Sequence, residues 1–146
     1  MDMPKIESHG HVDWKGDLQK GAGELEVGSG ALGTQDVTFG ARTGQAEGRT
    51  NPEELVAAAH ATCYAMAFSN TLAQAGNPPD SLDVKATVTL DTDALKVATS
   101  HLEVTGQVSG LDQAGFEQAA QEAEAKCPIS NALRGNVEIS LSATLA

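Results

Sequence analysis

"NPEELVAAAHATCYAMAFSN" (residues 51–70) reads as one helix, and the rest of the chain is arranged around it. Asn51 is an N-cap residue type, Pro52 suits the first helical position, and Glu54 stands three residues after Asn51, as in a capping box. Leu55, Ala58, Ala59, Thr62, Met66 and Ala73 recur at helical spacing, while Ala57, Ala61, Ala65 and Ala67 fill the other faces. A helix this apolar all round is expected to be buried on most sides. Gly76 and the "NPPD" behind it end the run. In its middle sits Cys63, either a reactive thiol or a small core side chain.

Outward from this helix the pattern turns to strands. "HVDWKG" (11–16), "GELEVG" (23–28) and "QDVTFG" (35–40) are short strand candidates separated by turns, and "GARTGQAEGRT" (40–50) is a polar loop. Downstream, "SLDVKATVTLDT" (81–92) alternates Leu82, Val84, Ala86, Val88 and Leu90 on one face. "SHLEVTGQVSG" (100–110) alternates through Leu102 and Val104 and slips at Gly106. An acidic amphipathic helix over 112–126 turns Phe116, Ala119, Ala120 and Ala123 inward; "CPISNAL" (127–133) starts a short new helix at Pro128; "NVEISLSATL" (136–145) is a last strand. The order βββ-α-ββ-α-β, with connections short for parallel crossovers, predicts an α+β fold with antiparallel pairing.

Composition narrows the function classes. A chain of 146 residues suits a single domain over 1–146, and 40% apolar residues with 3% aromatics imply a core of Ala, Val and Leu. A core of small side chains favours oligomerisation, so a dimer is expected. Twenty acidic against nine basic residues give a net charge of −11, which argues against nucleic acid or an anionic membrane as partner. "MDMPKIESHG" (1–10) shows no apolar h-region and no run approaches a membrane span, so the expected location is the cytoplasm. Two cysteines in a reducing compartment are redox-active, ligating or buried more often than they form a structural disulfide.

Local physics treats the two thiols differently. Cys63 lies about three turns into its helix, beyond the reach of the helix dipole, where an apolar site raises its pKa. To act as a nucleophile it needs a cation from elsewhere. Cys127 precedes Pro128 and is placed to cap the next helix, where backbone N–H groups favour a thiolate. A zinc reading with His60, Cys63 and Cys127 is open in principle, but there is no C-x-x-C pair and no second histidine motif. His60 alone is the kind of residue met as a satisfied helix histidine; His9 and His11 share a strand face near the terminus, and His101 has no assigned role.

"GRTNPEELVAAAHATCYAMAFSN" (48–70) together with "KCPISNAL" (126–133) resembles the OsmC/Ohr family, the osmotically inducible protein C and organic hydroperoxide resistance proteins, and is closer to the OsmC branch. "GHVDWKGDLQKGAGEL" (10–25) and the last strand extend the resemblance over nearly the whole chain. It implies an OsmC-like fold, an intertwined homodimer with sheets around central helices, and a thiol peroxidase acting on organic hydroperoxides. By the match, Cys63 is the peroxidatic and Cys127 the resolving cysteine, Arg42 is the active-site arginine with Arg49 a nearby competitor, and Glu53 is the carboxylate that pairs with the arginine. No cofactor is implied; an external dithiol, lipoyl-type or other, would restore the thiols.

One expectation comes from geometry laid on that resemblance. Glu53 and Cys63 are ten residues apart, roughly 15 Å of helical rise, too far for one arginine to bridge within a chain. Glu53 is therefore expected to come from the partner subunit. The alternative to the enzyme is a non-enzymatic redox-sensing or ligand-binding stress protein on the same fold, and turnover with a dithiol separates the two.

Overall fold

The computed structural model describes residues 4–44 and 48–146. Residues 45–47 of the expected polar loop and 1–3 of the opening lie outside the described residues. The chain forms two compact units, residues 1–52 and 53–146.

The first unit is a three-stranded antiparallel sheet in the order β1 (Gly10–Lys15), β2 (Ala22–Val27), β3 (Gln35–Val37). Gly23 is needed in β2, because a Cβ there would stand 2.9 Å from Trp14 Cε3 and 3.0 Å from Val12 and Val37 methyls. The third strand is shorter than the sequence pattern suggests. Thr38 ends it by capping a single helical turn, α1 (Phe39–Arg42), with its hydroxyl accepting the Ala41 N–H at 3.2 Å.

The second unit opens with α2 (Pro52–Gln74), the helix read from the opening sequence. Its end is a Schellman motif: Gly76 has φ +90°, Asn77 N–H donates to the Leu72 carbonyl at 2.9 Å, and Gly76 N–H to that of Ala73 at 3.0 Å. β4 (Ser81–Asp91) and β5 (Lys96–Gln107) form an antiparallel hairpin with an irregularity between Thr89 and Leu90. Then come α3 (Gln113–Ala125), α4 (Pro128–Leu133) and β6 (Glu138–Leu145). The α+β class holds, with sheet order β4-β5-β6.

Two expectations are corrected. β6 pairs with β5 in parallel, not antiparallel. The segment between these strands carries two helices and is long enough for a crossover. The slip expected at Gly106 does not occur: Gly106 stays in register opposite Leu82 and Leu145. Its missing Cβ makes room for Phe116, whose Cε1 and Cζ would lie 2.6 Å from it.

The core lies between α2, α3 and one face of this sheet. Tyr64, Phe68, Leu72, Leu102, Val104, Phe116, Ala120, Ala123 and Cys127 are buried in it, and Ala119 packs against it. Tyr64, Phe68 and Phe116 meet in a row, with ring centroids 5.6 and 5.0 Å apart. The face of α2 chosen by the core differs from the stripe picked out in the sequence. His60, Tyr64, Phe68, Thr71 and Leu72 point inward, whereas Ala58, Ala59, Thr62, Met66 and Ala73 are exposed in the single chain, Met66 at 69%. The bulky residues at i, i+4 and i+8 take the core position, leaving an apolar outer face rather than a helix buried on most sides.

Candidate active site

The long helix α2 and the short helix α4 bring the two cysteines together. Cys63 sits mid-way along α2, partly buried, and Cys127 is the fully buried N-cap of α4. Neither is in a disulfide, and the Cys127 thiol is near enough to act on that of Cys63. Pro128 opens α4 and has no N–H to offer. The next two N–H groups are divided between the sulfurs: that of Ile129 bonds Cys63, and that of Ser130 donates to Cys127 Sγ at 3.5 Å. The expectation that Cys127 caps this helix is met.

Electrostatics leave Cys63 short of activation. Burial pushes its thiol above the ordinary range, the Ile129 N–H pulls it back, and the Cys127 sulfur adds to the rise. This agrees with the sequence reading that a mid-helix cysteine in an apolar site requires a cation from elsewhere.

Beneath the sulfurs lies a buried polar ring. His60, one turn before Cys63 on the same helix, is wholly buried. Its Nδ1 is 2.7 Å from Ser100 Oγ on β5, and its Nε2 is 2.7 Å from Ser130 Oγ on α4. Burial lowers the imidazole pKa, with Glu124 pulling the other way, so the ring is neutral with one N–H and one lone pair for the two hydroxyls. Both nitrogens are thus engaged by serines, which removes His60 from the zinc reading. Among the described residues no cluster of three or more His, Cys, Asp or Glu would hold a metal.

Around this ring, Tyr64 O–H donates to the Ala120 carbonyl at 2.9 Å, so Tyr64 and Phe68 belong to core packing. The Arg134 guanidinium lies 2.9 Å from Glu124 Oε1, an ion pair outside hydrogen-bond angles. His101 Nδ1 is 2.6 Å from Ser140 Oγ, tying β5 to β6; His9 and His11 are exposed.

The remaining site residues are placed as follows. Glu53 is buried in the first turn of α2, ten residues before Cys63 along the helix. Arg42 closes α1 in the first unit, and Arg49 lies outside any helix or strand. The structure therefore brings Cys63 and Cys127 together with Ser130 and His60. Ser100 and Ser130 are the residues sequence reasoning missed. Ser100 carried a signal: it shares the inward face of β5 with Leu102 and Val104, where a polar side chain needs a buried partner.

Comparisons with known proteins agree with this geometry. A family model described as OsmC-like protein matches residues 44–142. Peroxiredoxin OsmC of Escherichia coli K12 is 37% identical over 136 residues, covering 92% of this chain and 94% of the relative. Organic hydroperoxide resistance protein-like 2 of Staphylococcus epidermidis is 33% identical over 104 residues, covering 69% of this chain and 72% of its own length. Among solved structures, an organic hydroperoxide resistance protein OsmC from Legionella pneumophila superposes with a TM-score of 0.76 at 26% identity, covering 97% of this chain and 99% of that one. With the paired cysteines, the fold and these matches in agreement, the chain belongs to the OsmC-like protein family.

Proposed function

We propose that this protein is a cysteine-based peroxidase that reduces organic hydroperoxides to alcohols. The observation that carries the reading is the proximity of a partly buried Cys63, packed against the core cluster, to a fully buried Cys127 within it. The first can be reached by a substrate and the second only by the first. The naming of the Escherichia coli relative as a peroxiredoxin, and of the Staphylococcus epidermidis relative as an organic hydroperoxide resistance protein-like protein, supports the substrate class.

In this mechanism the Cys63 thiolate attacks the distal oxygen of the hydroperoxide. The O–O bond breaks, Cys63 becomes a sulfenic acid, and the alkoxide takes a proton and leaves as the alcohol. Cys127 then attacks the Cys63 sulfur, forming the disulfide and releasing the oxygen as water. An external dithiol, lipoyl-type or other, reduces the disulfide by exchange. Arg42 supplies the fixed positive charge that a buried Cys63 lacks, and Glu53 orients it. Because Glu53 is roughly 15 Å along α2 from Cys63, it acts on the site of a second copy. The exposed apolar face of α2 suits such a homodimer. The family match spans residues 44–142, across the boundary of the two units, which supports one functional domain. Two free thiols suit a reducing cytoplasm.

The test is a titration of the reduced protein with cumene hydroperoxide, counting free thiols, beside Cys63→Ser and Cys127→Ser. Loss of two thiols per peroxide in the wild type, none in Cys63→Ser, and a trapped sulfenic acid in Cys127→Ser are expected, with repeated turnover when a dithiol is added. Unreacted thiols in the wild type would overturn the reading; oxidation without turnover would favour a redox sensor.

A further inference from the structure

We propose that His60, through Ser130, is a positioning device for the resolving thiol, holding Cys127 against Cys63 so that the disulfide closes before a second hydroperoxide arrives. This rests on the peroxidase reading above. With six residues, α4 is far too short to persist on its own. Its place is set by tertiary bonds. Ser130 joins one of them to the helix's own cap, both buried: its hydroxyl meets His60 Nε2 on α2 at 2.7 Å, and its N–H donates to the N-cap Cys127 Sγ at 3.5 Å. His60 and Cys63 lie one turn apart on α2, so they share a face. The connections close into a ring that runs from Cys63 along α2 to His60, across to Ser130, back to Cys127 and over to Cys63. Ser100 holds the second ring nitrogen at 2.7 Å from β5 and fixes the imidazole's orientation. A buried neutral imidazole between two hydroxyls satisfies every partner in either tautomer, which makes the ring a rigid element.

The chemistry explains why rigidity at Cys127 matters. A sulfenic acid on Cys63 has two fates. Cys127 can attack its sulfur, making the S–S bond, breaking S–O and releasing water. Alternatively a second hydroperoxide transfers its distal oxygen to the Cys63 sulfur, giving a sulfinic acid and the alcohol. The first step is intramolecular and requires the narrow geometry of a disulfide. The second does not involve Cys127 at all. Loosening α4 therefore slows the first, which needs Cys127 in place, more than the second, which does not.

The experiment compares the full chain with Ser130→Ala, which keeps the backbone N–H on Cys127 but removes the hydroxyl on His60, and with Ser130→Thr, which keeps a hydroxyl. Rapid quenching after cumene hydroperoxide, read by mass spectrometry, gives sulfenic acid formation, disulfide closure and the sulfinic acid share. Expected for Ser130→Ala are disulfide closure slowed on the order of tenfold, sulfenic acid formation slowed far less than that, and a rise in the sulfinic acid share, all reversed in Ser130→Thr. Circular dichroism checks each fold. Should Ser130→Ala not fold, Ser100→Ala loosens the same ring from the opposite nitrogen and is expected to shift the partition in the same direction by less. Wild-type closure and sulfinic share in a folded variant would overturn the proposal alone. An equal fall in sulfenic acid formation would assign the ring a general structural role and overturn it too. A wild type that forms no disulfide would overturn the peroxidase reading and this proposal with it.

Discussion

Cys63 and Cys127 lie near enough to influence one another, yet the two places differ in what sets thiol chemistry. Cys63 lies in the body of a 23-residue helix whose own N–H groups are spent on helix bonds. It is partly exposed, and burial raises its pKa. Cys127 heads a six-residue helix with a backbone N–H to spare, and is sealed from solvent. The site with a backbone N–H to spare and the better-exposed site are therefore not the same site. In the proposed mechanism access gives the first step to Cys63, and the helix terminus serves the thiol that waits. The division has a consequence: the thiol that must react first needs its charge stabilised from outside its own helix.

The largest effect is expected where that outside charge is removed. Arg42→Ala, in a Cys127→Ser background so that one thiol is followed, should slow the reaction with cumene hydroperoxide by about 10²–10³-fold, the usual loss for one preorganised charge at a reacting centre. The pH profile gives the sign. Burial already places the Cys63 thiol above its ordinary value, so the thiolate fraction, and the rate, rise as pH rises toward that pKa. Without the guanidinium the inflection should move to higher pH. A profile unchanged in Arg42→Ala but displaced in Arg49→Ala would hand the role to Arg49.

A smaller effect tests access. In single-cysteine variants, maleimide labelling should be roughly tenfold or more faster for Cys63 than for Cys127, because Cys127 reacts only after local opening. Comparable rates, read against the same reagent on unfolded protein, would break the division between the two thiols.

Gly106→Ala should act on the Cys127 side of the comparison by way of packing. The new Cβ would stand 2.6 Å from Phe116 Cε1 and Cζ and 3.0 Å from Leu82 Cδ2, which pushes on α3, the helix that leads into Cys127. Overpacking of this kind costs about 1–3 kcal/mol. The urea midpoint is expected to fall at unchanged slope, with sulfenic acid formation on Cys63 retained. An unchanged midpoint would mean the core yields at Phe116 more easily than its contacts suggest.

The sequence made the framework legible where a local signal was strong. The caps and Gly76 delimit α2 within a residue or two, alternation finds β4 and β6, and Phe116, Ala119, Ala120 and Ala123 mark the inner face of α3. The paired cysteine motifs found both thiols. What stayed hidden depends on distant partners. An all-round apolar helix does not say which face a single chain covers, and Met66, at helical spacing with Ala58, Ala59, Thr62 and Ala73, lies with them on the exposed face. Strand direction was misjudged for β6 because the pattern does not reveal that two helices act as a crossover. Ser100 and Ser130 are joined through His60 from positions 40 and 70 residues away, and no spacing in the chain shows that.

Tyr64→Phe is the mildest change and the most pointed test of where the chemistry stops. Tyr64 follows Cys63 in the chain, is fully buried, and donates its hydroxyl to the Ala120 carbonyl on α3, so it links the helix of one thiol to the helix that leads to the other. Burial first, then the nearby Glu124 and Cys127, push the phenol far above its ordinary range, so it stays protonated throughout the working pH range and has no proton to give or take. Ala120 lies inside α3, where its carbonyl keeps a helix bond when the phenol is gone. The change thus removes one hydrogen bond and strands no buried acceptor, which costs about 0.5–1.5 kcal/mol. Denaturant unfolding should show that loss, while sulfenic acid formation and disulfide closure stay within about twofold, about 0.4 kcal/mol of barrier. A tenfold fall in either half-reaction would place Tyr64 among the groups that position the thiols, and the boundary between site and core would run one residue deeper than Cys63.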